Sequence, residues 1–218
     1  ALNKMFKVSG IPTLVLIDEH GNLITRDGRT EVMADREGRS FPWKQPTLAD
    51  VLASASAVKK DGSSVALSSL AGKTVAFYFS AHWCAPCRAF TPVLSSVYSR
   101  LKAAGKEFEV VFVSSDRDQS GFDEYFHDMP WIAVPFSDKA TRQALSKIVG
   151  VEGIPTLALV GPDGRMYSTD AASSVRADPT GENFPWKPLP VLSLEENPEG
   201  INDTPSVLLM MEGVDEME

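Results

Sequence analysis

The chain has 218 residues, 43% of them hydrophobic, and carries a formal net charge of −8. This acidic balance, without a basic stripe, argues against a nucleic-acid partner, because phosphate binding requires clustered Lys and Arg. The sequence has no run of about 18 apolar residues and no secretory signal order in its first 30 residues, so we expect a soluble, intracellular protein without a membrane partner.

The chain contains an internal repeat, whose first copy lies at its beginning. Residues 2–44 align with residues 145–187 at a constant offset of 143, and 19 of the 43 aligned positions are identical. Both copies end in Phe-Pro-Trp-Lys, whose tryptophans, Trp43 and Trp186, are expected to anchor the end of each unit. A repeat at this spacing predicts a domain of about 143 residues.

The repeat also predicts the domain boundaries, and it suggests that the chain is a piece of a longer protein. Three segments follow from it: 1–45 as the C-terminal half of a preceding domain, 46–188 as a complete domain that contains both cysteines, and 189–218 as the start of a third.

Strand and helix patterns alternate within residues 46–188. The run Thr74–Phe79 is continuously apolar, which predicts a central parallel strand covered on both faces. From Ala85 to Leu101 the apolar residues recur every three or four positions, which predicts a helix kinked at Pro92. Further elements are predicted as a strand at 108–113, helices at 121–127 and 139–148, a hairpin at 156–160 and 165–168, and a terminal helix. This order predicts an α/β, thioredoxin-like fold, with a mixed sheet flanked by helices.

The two cysteines, Cys84 and Cys87, fall between the predicted central strand and the long helix. A helix N-terminus lowers the pKa of a cysteine placed there, so we expect Cys84 to attack a substrate disulfide. Cys87, nearly one turn later, would resolve the mixed disulfide. The alternatives are an inert buried pair or half of a zinc site. Zinc requires four ligands, and the histidines, His20, His82 and His127, are scattered, so no metal is predicted.

Other residues are predicted to complete this site. The Ile154–Pro155 bond suits a cis peptide, which in a thioredoxin-like fold lies opposite the dithiol, so that Ile154 can pair with an extended substrate. An ordinary turn proline is the alternative. Trp83 is either a flat platform for substrate or a loop-packing residue, and Arg88 either supports a thiolate or an acidic substrate residue or is a surface residue. Trp131 is expected in the core.

The segment Phe79–Arg88, Phe-Ser-Ala-His-Trp-Cys-Ala-Pro-Cys-Arg, closely resembles the active-site segment of the nucleoredoxin family. The similarity continues at 113–117, 129–135, 153–156 and 184–188. It implies a protein-disulfide reductase that draws electrons ultimately from NADPH through a separate reductase. It also implies no bound cofactor beyond the redox-active Cys84–Cys87 disulfide, a cytoplasmic and nuclear location, and binding of signalling proteins such as Dishevelled in the Wnt pathway.

Two positions depart from the patterns of relatives. Ala85 stands where nucleoredoxins usually carry proline, and Tyr78 stands where ordinary thioredoxins carry a buried acid, which leaves open the proton acceptor for Cys87. Two other functions also remain open. One is a redox-sensing adaptor with little turnover, and the other is electron supply to peroxidases, as in the shorter tryparedoxins.

Overall fold

A computed structural model describes residues 2–8 and 10–187. Its helices are α1 (Leu2–Met5), α2 (Gly28–Ala34), α3 (Leu48–Ser54), α4 (Ala85–Ala103), α5 (Gln119–His127), α6 (Lys139–Val149) and α7 (Ala171–Ala177), with a 3-10 turn at Leu67–Leu70. Its strands are β1 (Leu16–Ile17), β2 (Leu23–Thr25), β3 (Ser56–Val58), β4 (Ser64–Ala66), β5 (Thr74–Ser80), β6 (Phe108–Ser114), β7 (Ile132–Ala133), β8 (Thr156–Val160) and β9 (Met166–Ser168).

Seven of these strands form one mixed sheet in the order β4-β3-β7-β6-β5-β8-β9. The neighbours β5, β6 and β7 run parallel, whereas β3 and β8 pair with their neighbours antiparallel. The mixed sheet predicted from the sequence is therefore confirmed, with β5 near its centre.

The side chains of β5 alternate between two apolar clusters. Tyr78 belongs to a cluster with residues of α4, α5 and α7, while Phe77 and Phe79 belong to a second cluster with residues of α3 and α6. Trp131 is buried in the first cluster, as predicted. Because every residue of β5 is buried, the strand lacks the polar-apolar alternation of a half-exposed strand.

Residues 46–187 contain elements that were not predicted from the sequence: α3, the β3–β4 hairpin and β7. These strands are two or three residues long, too short for an alternation to be recognised. Helix α3 has a start signal, since Thr47 and Asp50 cap each other's backbone N–H groups. Helix α5 begins two residues earlier than predicted because Asp118 caps it.

The internal repeat is visible in the structure. Strand β2 and helix α2 correspond to β9 and α7 at the same offset of 143 residues. In each copy the tryptophan Nε1 donates to an aspartate eight residues earlier, Trp43 to Asp35 at 3.0 Å and Trp186 to Asp178 at 2.9 Å. The sequence analysis predicted the tryptophan anchors but missed the aspartates, although both copies carry them.

The described residues belong to one compact unit. The predicted boundary at residue 45 therefore stays a prediction, and the predicted third domain, residues 189–218, lies outside the described residues. Within residues 2–8 and 10–187, none of the helices has the length and apolar character needed to cross a membrane.

Candidate redox site

The cysteine pair lies where the central strand passes into the longest helix. Strand β5 ends at Ser80, and Cys84 is the N-cap residue of α4. The backbone N–H of Cys87 donates to Cys84 Sγ at 3.3 Å, and the two cysteines are joined as a disulfide. Pro86 stands in the first helical turn, where a missing N–H costs little. After reduction, this helix N-terminus would stabilise negative charge on Cys84 Sγ.

The two sulfur-bearing residues differ in their access to solvent. Cys84 is 6% exposed, whereas Cys87 is 0% exposed. Ile154 packs over the pair together with Ala81. Cys84 is therefore the less buried of the two cysteines. The order in which they attack and resolve stays a prediction.

The loop before β8 forms the opposite wall of the site. The Ile154–Pro155 peptide bond is cis, and the Ile154 carbonyl oxygen lies 3.8 Å from Cys84 Sγ. Thr156, the first residue of β8, pairs with Phe79 near the end of β5, which brings this loop beside the disulfide. A cleft of about 540 Å³ runs along the loop and is lined by residues 149–156 and Thr169. The substrate contacts predicted for this loop stay predictions.

Trp83 is the exposed aromatic residue beside the disulfide, with 52% of its surface accessible. Its indole Nε1 donates to the Ser115 carbonyl at 3.1 Å, and the Arg117 guanidinium lies 5.6 Å from its ring centroid. One residue earlier, the His82 backbone N–H donates to Asp116 Oδ1 at 2.7 Å. The loop after β6 therefore holds the turn that carries Trp83.

Arg88 is exposed on the first turn of α4. Its backbone N–H donates to the Cys84 carbonyl at 3.1 Å. In the part of the chain that the structure describes, its guanidinium makes no hydrogen bond or ion pair, so its predicted support of a thiolate stays a prediction.

A buried network of hydroxyl groups stands behind Cys87. The Tyr78 hydroxyl donates to the Cys87 carbonyl at 3.2 Å and lies 2.9 Å from Thr91 Oγ1. Thr91 Oγ1 lies 2.6 Å from the Tyr125 hydroxyl, which is 3.0 Å from Ser80 Oγ. Burial, with a smaller effect of Tyr125, raises the pKa of Tyr78. The group that replaces the buried acid of thioredoxins is thus a neutral phenol.

Sequence reasoning missed Thr91, Tyr125 and Asp116. Thr91 follows Cys87 by four residues, the spacing that places two side chains on the same face of a helix, and this was an available signal. Asp116 follows β6 just as the active-site turn follows β5. Because β5 and β6 are parallel, their ends meet at one edge of the sheet, which gave a weaker signal for Asp116.

Thr91→Val is expected to lower the free energy of unfolding by about 1–3 kcal/mol, because it leaves two buried tyrosine hydroxyls short of a partner while keeping the side-chain shape. Denaturant unfolding of the oxidised chain measures the change. Thr141→Val is the matched control, since among the described residues the Thr141 hydroxyl makes no hydrogen bond. Equal effects of the two substitutions would contradict a structural role for the network.

Comparison with known proteins agrees with this geometry. The family model described as thioredoxin-like matches residues 72–166. Tryparedoxin of Trypanosoma brucei brucei is 47% identical over 140 residues, covering 64% of this chain and 96% of that protein. A solved structure of tryparedoxin from Trypanosoma brucei, 46% identical, covers 65% of this chain and 98% of that chain with a TM-score of 0.59. The chain therefore belongs to the thioredoxin-like oxidoreductase family.

Within that family the chain is nucleoredoxin-like. Nucleoredoxin of Mus musculus is 40% identical over 215 residues, and that of Homo sapiens is 39% identical over 215 residues. Each match covers 98% of this chain and 49% of the relative, so the chain spans about half the length of these relatives. The redox-active group of the family is the protein's own cysteine pair rather than a bound cofactor. Among residues 2–8 and 10–187, no group of three or more His, Cys, Asp or Glu side chains is placed to hold a metal ion.

Proposed function

We propose that the chain reduces disulfide bonds of protein substrates through the Cys84–Cys87 dithiol. The observation that carries the proposal is the position of Cys84 at a helix N-terminus, with the more deeply buried Cys87 in the first turn of the same helix. The Ile154 carbonyl, 3.8 Å from Cys84 Sγ, adds a backbone group that can accept a hydrogen bond from an extended substrate.

The exchange proceeds in two steps. The Cys84 thiolate attacks one sulfur of the substrate disulfide, whose S–S bond breaks, and the other substrate sulfur leaves as a thiolate. Cys87 then attacks Cys84 Sγ, which releases the second substrate sulfur and forms the Cys84–Cys87 disulfide. Two electrons pass from the dithiol to the substrate. We further propose that a separate reductase, which receives its electrons ultimately from NADPH, restores the dithiol.

A second candidate is redox-gated binding of a signalling protein, such as Dishevelled, with little turnover. One observation favours it: the exposed indole of Trp83 lies directly beside the disulfide, on the face that changes covalently when the pair is oxidised. A partner that contacts this indole would therefore meet a different surface in each redox state.

The test uses the pre-reduced full chain mixed with insulin, whose chains are joined by disulfides. We expect one insulin disulfide to be reduced per chain in a single turnover, and repeated turnover when dithiothreitol is supplied. The cysteine-free variant Cys84→Ser/Cys87→Ser is the control. A rate equal to that of the control would overturn the proposal, and redox-dependent binding without turnover would favour the second candidate.

A further inference from the structure

Arg117 and Trp83 form one exposed unit beside the disulfide. The guanidinium lies 5.6 Å from the centroid of the indole ring, and the indole is tied to the same loop through its bond to the Ser115 carbonyl. Stacking of this kind holds an arginine in place while its N–H groups stay available. Because Trp83 directly precedes Cys84, the arginine lies over the side chain next in sequence to the reacting cysteine.

The acidic neighbours of Arg117 in the sequence are engaged elsewhere. Asp116 is buried and accepts hydrogen bonds from the His82 N–H and from Ser114 Oγ. Asp118 accepts from the Gly121 N–H and caps α5. Across the described ranges, 2–8 and 10–187, Arg117 forms no ion pair. Its guanidinium is therefore available to a carboxylate supplied by another molecule.

Charges of both signs surround the disulfide. Glu152 lines the cleft on the side of Ile154, and Glu124 faces His82 with 3.7 Å between carboxylate and imidazole. Two exposed arginines balance them: Arg88 on the first turn of α4, and Arg117 over the Trp83 ring. Since the whole chain has a net charge of −8, an acidic substrate would be repelled at long range. A cation held over Trp83, the residue before Cys84, is expected to oppose this repulsion locally.

We propose that Arg117, stacked on Trp83, is a specificity-determining residue that favours substrate disulfides with an acidic residue next to the reacting cysteine. The inference rests on the proposed reductase function. An exposed ion pair of this kind contributes a rate advantage of roughly 1.5- to fivefold, and salt weakens it because the charges are screened.

The experiment compares single-turnover rates of the pre-reduced full chain with three disulfide peptides that differ only in the residue beside the reacting cysteine: Glu, Gln or Lys. The wild type is expected to reduce the Glu peptide roughly 1.5- to fivefold faster than the Gln peptide, and the Lys peptide slowest. Arg117→Gln is expected to remove this preference, Arg117→Glu to reverse it and Arg117→Lys to retain part of it.

Arg100→Gln is the matched control. Arg100 is also exposed, but it lies about 24 Å along α4 from Cys84. It removes the same charge and is expected to keep the wild-type preference. Equal rates for the three peptides with wild type, or equal effects of Arg100→Gln and Arg117→Gln, would overturn the inference. Failure to reduce any peptide would instead contradict the proposed function, so the two failures are distinguishable.

Discussion

Cys87→Ser is expected to accumulate a covalent adduct with substrate through Cys84, visible as a band of higher mass in non-reducing electrophoresis. The reason is that the mixed disulfide is expected to form at Cys84, the less buried cysteine, and to be released only by Cys87. Cys84→Ser is expected to form no adduct and to lower turnover on the order of a thousandfold or more, because it removes the nucleophile.

The two serine variants control for each other, since each retains one of the two cysteines and changes a single atom. Mass spectrometry of the adduct identifies the linked cysteine. An adduct that forms with Cys84→Ser and is absent with Cys87→Ser would reverse the assigned roles. Release of substrate by Cys87→Ser at the wild-type rate would show that resolution needs no second protein thiol.

Asp178→Ala is expected to lower the free energy of unfolding by about 2–3 kcal/mol, because it removes a buried carboxylate that accepts several hydrogen bonds. The donors are Thr180 Oγ1, the backbone N–H groups of Gly181, Glu182 and Asn183, and Trp186 Nε1. Together they fix the turn that follows α7. Asp35→Ala removes the equivalent carboxylate of the first repeat and is expected to cost less, since Asp35 is less buried.

The effect of Asp178 should depend on pH. Burial opposes ionisation, but the hydrogen bonds prevail and hold the pKa of Asp178 below its ordinary value. A group whose pKa is depressed by folding stabilises the protein above its unfolded pKa, near 3.9, and loses that contribution as the pH falls through its folded pKa. The difference in stability between wild type and Asp178→Ala should therefore be full at pH 7 and shrink below about pH 4. A constant difference across that range would exclude the charge as its source.

The sequence predicted the parts of this protein that are encoded locally. Strand β5 follows from a continuous apolar run and helix α4 from a helical period, and the dithiol is a four-residue motif at the start of that helix. Strand β7, with two residues, depends on pairing with its neighbours and has no pattern of its own. Local signals therefore identified the central elements and the cysteine motif, while the short strands β3, β4 and β7 on one side of the sheet were missed.

The missed parts of the site arise from contacts between distant segments. Thr91 meets Tyr125, and the His82 backbone meets Asp116, in both cases across 34 residues. Each contact exists because parallel strands β5 and β6 bring the segments that follow them to the same end of the sheet. When the strand pairing is not known, Thr91 is only a threonine on an apolar helix face and Asp116 only an aspartate in a polar loop, and neither indicates a site.

The hydroxyl network also bears on the fate of protons during exchange. Oxidation of a dithiol releases two protons along with two electrons, and a buried carboxylate behind the second cysteine could take one of them. In this protein Tyr78 occupies the position of that carboxylate. Burial raises the pKa of Tyr78, so the phenol stays protonated at pH values at which thiols ionise. We therefore expect the Cys87 proton to leave outward, to the departing substrate thiolate or to water, so that reduction of the substrate and its protonation take place on the same open face.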